Sequence, residues 1–183
     1  FDISLENLIT LWGFERKENF HLPAPKEINY KLNNCGWTNV KFLDSNYIRL
    51  LKNVKLNFSA IAKGYAVDKA INVLKKYGIK SALVNAGGEI KVLGDDWIIG
   101  IQHPRMKNAL VEKIKLNSKS VATSGDYEQF FEVNGKRYHH IINPQNGYPA
   151  NGCQSVTIIA NDDLTADALA TAVFVMGPNE GMN

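Results

Sequence analysis

Asp167 and Thr171 stand four residues apart in the run Asp162-Asp163-Leu164-Thr165-Ala166-Asp167-Ala168-Leu169-Ala170-Thr171. On a helix that spacing puts a carboxylate and a hydroxyl on one face, one turn apart. Both are hard oxygen donors of the kind Mg²⁺ takes. The same residues also read as an ordinary helix start, with Asp162 or Asp163 as the cap and Asp167 at the positive end of the helix dipole. On the local sequence alone the capped start is the simpler reading.

Three further groups carry chemistry. In Asn57-Phe58-Ser59-Ala60-Ile61-Ala62-Lys63-Gly64-Tyr65 small residues lead from a strand into a helix that opens with a lysine. Free N–H groups at a helix start beside a lysine make an anion site, and a plain strand-to-helix turn is the competing reading. The spacing is not that of a P-loop. In Asn85-Ala86-Gly87-Gly88-Glu89 two glycines permit positive φ and a close backbone approach to a ligand; a simple turn explains them equally. The order is not G-x-G-x-x-G, which excludes a dinucleotide fingerprint. Thr123-Ser124-Gly125-Asp126 offers two hydroxyls and a glycine suited to phosphate oxygens. Downstream, His139 and His140 alternate on a strand and so face opposite ways, which argues against a shared zinc ion.

The elements that must position these residues follow from periodicity and turn chemistry. A helix is expected within Phe1–Phe14, a loop with a short helix near Ile28–Leu32, and strands over Val40–Leu43, Tyr47–Leu51 and Val54–Phe58. Apolar residues at 66, 70, 73, 74 and 77 predict a helix from Ile61 to Tyr77, ended by Gly78. Strands are expected over Ser81–Asn85, Ile90–Leu93, Trp97–Ile101, Lys115–Val121, Gln129–Val133, Lys136–Ile142 and Val156–Ala160, then a helix over Leu164–Val175. Asn134-Gly135 is a strong hairpin signal. The fold class is α/β of the α+β type: one domain over residues 1–183, a mixed and largely antiparallel sheet with packing helices.

Bulk properties narrow the field. The 183 residues are 45% hydrophobic and 21% charged, which suits a domain with a real core and excludes global disorder. A formal net charge of +3 without a basic block gives no case for nucleic acid. Cys35 and Cys153 form no C-x-x-C motif. No apolar run of transmembrane length occurs in this chain.

Taken in order, the motifs resemble those of the ApbE family of FAD:protein FMN transferases. Phe1-Asp2-Ile3-Ser4 with Leu11-Trp12-Gly13-Phe14 is similar to the family's F-D-x-[ST] … L-W-x-F segment. Ala60-Ile61-Ala62-Lys63-Gly64-Tyr65-Ala66-Val67-Asp68 looks like its A-I-A-K-G-Y-x-x-D motif, and Asn85-Ala86-Gly87-Gly88 like its N-x-G-G turn. Thr123-Ser124-Gly125-Asp126-Tyr127 is similar to T-S-G-x-[YF], and His140-Ile141-Ile142-Asn143-Pro144 with Gly147-Tyr148-Pro149 to H-I-[IL]-[DN]-P-x-x-G. Ala166-Asp167-Ala168-Leu169-Ala170-Thr171-Ala172 matches A-D-A-x-[AS]-T-A. Each motif is weak alone; six in order are specific, and they turn Asp167 from a helix-start residue into a candidate ligand.

The resemblance implies a magnesium-dependent enzyme that binds FAD and cleaves its pyrophosphate. FMN passes to a Thr or Ser hydroxyl of an acceptor flavoprotein, of the redox-complex subunit type, and AMP leaves. Some members let water attack instead, and a non-catalytic flavin- or metal-binding protein is a third expectation. By the resemblance, Mg²⁺ is held by Asp167, Thr171 and the backbone carbonyl of Ala60. Lys63 and Thr123-Ser124-Gly125 steady phosphates, Gly87-Gly88 admits the flavin side, and His140 orients the acceptor or phosphate. The family also implies an exported, membrane-anchored lipoprotein, and further family segments before Phe1 and after Asn183. The departures are Asn57-Phe58-Ser59 for the common Asp-Leu-Gly, Asn143 for the usual Asp, and Gln145-Asn146 for Arg-Thr. Loss of the Asp at 57 is expected to weaken support for the metal or its turn.

Overall fold

A computed structural model describes residues 1–14 and 20–182. In chain order the elements are α1 (Glu6–Trp12), α2 (Pro25–Leu32), β1 (Val40–Phe42), β2 (Ile48–Leu50), α3 (Ser59–Lys76), β3 (Ala82–Asn85), β4 (Ile90–Leu93), β5 (Trp97–Gln102), β6 (Leu110–Leu116), β7 (Ser120–Gly125), β8 (Phe130–Val133), β9 (Lys136–His139), β10 (Ser155–Ala160) and α4 (Asp163–Gly181). Every strand pair within these elements is antiparallel, in line with the expected fold class. They group into two compact units, Phe1–Phe58 with Asp126–Asn151, and Ser59–Gly125 with Gly152–Asn183.

The first unit is built around aromatic burial. Trp12 is fully buried at the end of α1 and stacks on Tyr138 of β9 at 5.5 Å, while its indole Nε1 donates to the Gly147 carbonyl at 2.9 Å. Leu5, Leu8, Phe14, Ile28, Cys35 and Ile142 are buried in the same cluster. Gly147 stands at φ +75, and a Cβ there would come within 2.7 Å of Ile28 Cγ2, so the turn needs glycine twice over. Helix α2 starts at Pro25, before the expected Ile28, because proline suits a first helical position and Glu27 reaches back to the Ala24 N–H at 2.8 Å. The strand expected over Val54–Phe58 does not form. Its backbone is spent on a single parallel bridge, Leu5 to Lys55, and a bond from Asn57 N to Ile3 O. The segment pairs with the approach to α1 and not with β2.

The second unit centres on a four-stranded sheet in the order β10-β7-β4-β3, with the β5–β6 hairpin beside it. Val92, Ile99, Leu116 and Val121 form its buried cluster. The strand expected over Lys115–Val121 is two strands, β6 and β7, separated at Asn117–Lys119. Ser118 takes φ +50 there and its N–H donates to Gly94 O. Asn117, Ser118 and Lys119 are all polar, a turn composition that the alternation on either side concealed.

Helices α3 and α4 pack on each other, and the contact is set by a glycine. The buried residues of α3 are Gly64, Val67 and Ile71, while Val73 and Tyr77 of the expected stripe are exposed. A Cβ on Gly64 would collide with the Asp163 carbonyl oxygen and lie 2.9 Å from Asp167 Cβ. The closest approach therefore falls on the residue with no side chain, and the buried face rotates toward it. Helix α4 runs past the expected Val175 to Gly181, with a non-helical step at Gly177 (φ 81, ψ 176) before Pro178.

Candidate functional site

The residues with chemical promise in the second unit meet where α4 begins and α3 begins. Asp162 caps α4, its side chain accepting from Thr165 N at 2.8 Å. A second acceptor comes from across the contact. Asp68 of α3 takes the N–H groups of Asp163 (3.0 Å to Oδ2) and Leu164 (3.0 Å), and also the Lys91 ammonium at 2.6 Å. Burial would raise the Asp68 carboxyl, but these donors outweigh it and hold the group below its ordinary value. The start of α4 is thereby pinned to α3 and to β4.

That pinning places Asp167. Its buried carboxylate receives the Gly64 N–H at 3.0 Å. In a regular helix this N–H serves the carbonyl four residues back, which belongs to Ala60. Burial pushes Asp167 up, and the Gly64 N–H and the nearby Lys63 charge pull it back. One turn on, Thr171 Oγ1 lies 3.1 Å from Ser124 Oγ of β7. Lys63 Nζ bonds Glu89 Oε1 at 2.6 Å, with the lysine 49% exposed and the glutamate 3%. Asp163 is fully buried, and neither carboxylate oxygen has a hydrogen-bond partner among the described residues. Burial, then the charges of Asp68, Glu89 and Asp167, raise it to about 7. One oxygen of Glu89 is likewise without a partner among the described residues.

Lys63, Gly64, Asp167, Thr171 and Ser124 are thus joined by contacts within one unit, with Ala60 on the same first turn of α3. Thr123 is not: strand alternation turns its hydroxyl to the other face, where it meets Thr157 at 2.8 Å. Thr123-Ser124-Gly125 is the end of β7, paired with Ser155–Thr157 of β10. Gly87 and Gly88 take φ +74 and +113, and a methyl group on either would meet only open space, so backbone conformation alone calls for glycine there. His140 lies in the first unit, with Nδ1 3.3 Å from Gln129 O and its ring edge-on to Phe14. His139 is buried, Nε2 lying 2.8 Å from Ala150 O, and the two histidines have separate partners; the strand expected over Lys136–Ile142 ends at His139, so His140 lies in a bend beyond it.

Two departures from the family pattern have local explanations. Asn57 donates through Nδ2 to Glu6 Oε2 at 2.5 Å, where a carboxylate would meet a like charge. Asn143 keeps an acceptor oxygen, taking the Gln145 N–H at 2.8 Å, so the turn retains its bond without the charge.

No group of three or more His, Cys, Asp or Glu suited to a metal occurs among the described residues. The donor set at Asp167 is of another kind: one carboxylate, one hydroxyl and one helix-start carbonyl, all hard oxygen. Glu89 Oε2, without a hydrogen-bond partner among the described residues, adds negative charge near Asp167, and a divalent cation fits that imbalance. Asp68, Glu89 and Asp163 escaped the sequence reading as site residues. Asp68 and Glu89 lie inside the motifs already singled out, whereas Asp163 looked interchangeable with Asp162.

Two of the helices of this antiparallel α+β fold, α3 and α4, thus cross at a glycine beside a lysine and a carboxylate–hydroxyl pair. The chain belongs to the ApbE family, whose sequence profile matches residues 1–183. It is 42% identical to an FAD:protein FMN transferase of Klebsiella pneumoniae over 99% of this chain and 58% of that protein. It is 36% identical to the FAD:protein FMN transferase of Treponema pallidum, over 97% and 55%. The crystal structure of the ApbE protein of Thermotoga maritima superposes with a TM-score of 0.91 at 44% identity, covering 96% of this chain and 59% of that one. The apo flavinyl transferase ApbE of Pseudomonas stutzeri gives 0.86 at 37%, covering 99% and 58%. The chain therefore spans a little over half the length of the relatives it matches. Among the described residues no helix is long and apolar enough to cross a membrane.

Proposed function

We propose that the protein of which this chain is part transfers the FMN moiety of FAD to a Thr or Ser hydroxyl of an acceptor flavoprotein, in a magnesium-dependent reaction that releases AMP. The observation that carries the reading is Asp167: a buried carboxylate fixed by the Gly64 N–H, flanked by Lys63, with Thr171 one turn on. The relatives named FAD:protein FMN transferase support FAD as the substrate and a protein as the acceptor.

In this reading Asp167, Thr171 and the Ala60 carbonyl would hold Mg²⁺, which supplies neutralising charge to the pyrophosphate. Lys63 supplies a fixed positive charge to a phosphate oxygen at the start of α3, and Ser124 holds the Thr171 hydroxyl in place. The acceptor oxygen attacks the FMN-side phosphorus, the bond from that phosphorus to the bridging oxygen breaks, and AMP leaves with that oxygen. The hydroxyl proton departs to a base or to solvent. Little covalent work falls to the protein, so positioning and electrostatics carry the catalysis.

Because Lys63 is half exposed, water reaches this edge of the unit, which favours hydrolysis of FAD to FMN and AMP as the second reading. Full-length protein incubated with FAD, Mg²⁺ and candidate acceptors, followed by mass measurement of each acceptor, separates the two. Covalent FMN on an acceptor supports transfer; free FMN with AMP supports hydrolysis. Asp167→Ala is expected to lower either turnover at least a hundredfold, and undiminished turnover would remove the site assignment.

A further inference from the structure

Lys63 is a flexible cation on the exposed side of α3, and a lysine of this kind surrenders rotamer entropy when held in one place. The holding group is unusual. Glu89 is 3% exposed, bonds Lys63 Nζ through Oε1 at 2.6 Å, and leaves Oε2 without a partner among the described residues. A buried carboxylate satisfied on one side only is a poor way to stabilise a fold, since an apolar side chain would cost less. Its own position, by contrast, is fixed. Gly88 N donates to Asn85 Oδ1 at 3.0 Å, Ala86 N donates to Glu89 O at 2.9 Å, and the next two residues pair with β7. The Asn85–Glu89 turn thus delivers one rigid acceptor to one mobile donor.

We infer that Glu89 is a positioning residue, which fixes the Lys63 ammonium at the first turn of α3 so that it meets a phosphate oxygen of the dinucleotide already oriented. The inference rests on the function proposed above. It also assigns a task to the glycine pair: Gly87 and Gly88 have open space around them, and the conformation they permit aims the carboxylate of Glu89.

The sign of one substitution separates this role from mere proximity. Glu89→Gln removes a negative charge beside an anion site, so a bystander carboxylate would leave FAD turnover unchanged or raise it. A positioning carboxylate gives the opposite result. We expect AMP release from FAD by the full-length protein with Mg²⁺ to fall at least tenfold in Glu89→Gln. In a Lys63→Met background the same change should alter the rate less than twofold, because the residue it acts through is gone. FAD affinity, followed by flavin fluorescence, should show the same non-additivity. A tenfold loss that persists in the Lys63→Met background overturns the inference and leaves the proposed function standing, as does turnover that is unchanged or raised in Glu89→Gln. A wild-type protein that neither binds FAD nor releases AMP removes the proposed function and this inference with it. If Glu89→Gln does not fold, Glu89→Met, close in volume and apolar, takes its place. Failure of both to fold would assign Glu89 to the fold alone and overturn the inference.

Discussion

Asp163 shows how one carboxylate can tie the site's electrostatics to stability. It is fully buried, both oxygens lack partners among the described residues, and burial with the neighbouring acids raises it from 3.8 to about 7. The folded chain therefore holds this proton at pH values where the unfolded chain has released it. Its contribution to stability is complete below about 3.8 and is lost as pH rises through about 7. Asp163→Asn keeps the shape and removes the titration. Urea unfolding of the metal-free protein between pH 4 and 8 should show the variant gaining on wild type as pH rises. A difference that is flat with pH, or that shrinks, contradicts the assignment.

At the scale of elements, the α3–α4 crossing decides whether Asp167 reaches the Gly64 N–H at all. Gly64→Ala would drive a methyl group against the Asp163 carbonyl and Asp167 Cβ, both backbone-anchored on α4. Overpacking of this kind costs about 1–3 kcal/mol, and here it must also spread the helices. Chemical denaturation should register the loss, and AMP release should fall more than stability alone explains. Asp68→Ala tests the same crossing from the capping side. It removes the acceptor for two α4 N–H groups and strands the Lys91 ammonium, so a loss of about 2 kcal/mol, read from the denaturation midpoint, is expected. A variant as stable as wild type would show that α4 is positioned without Asp68.

On the scale of the whole molecule, the first unit gathers segments far apart in the chain. Trp12 meets Tyr138 by stacking and Gly147 by a hydrogen bond, 135 residues on. Trp12→Ala should cost about 3–5 kcal/mol of stability. Trp12→Phe, which keeps a ring but leaves the Gly147 carbonyl without its donor, should cost about 1–3 kcal/mol. A Trp12→Phe variant as stable as wild type, read by urea unfolding, would show that the indole N–H contributes nothing.

Much of this architecture was legible from residue order. Ile90–Leu93 and the Asn134-Gly135 hairpin fall where alternation and turn chemistry put them. The helix at Asp167 likewise needs only the repeat of a helix. These features are local, governed by a few neighbouring dihedrals and side chains. The failures share a cause as well. Whether Val54–Phe58 pairs as a strand depends on Ile3 and Leu5; which face of α3 is buried depends on where α4 approaches. Residue order alone yields the motifs, the family and the spacing of Asp167 and Thr171. Packing was needed to show that Gly64 supplies the N–H to Asp167, that Asp68 caps a helix 95 residues downstream, and that Glu89 holds Lys63. Those contacts join residues brought together by packing, and packing is selected by the whole set of buried surfaces rather than by any one stretch of chain.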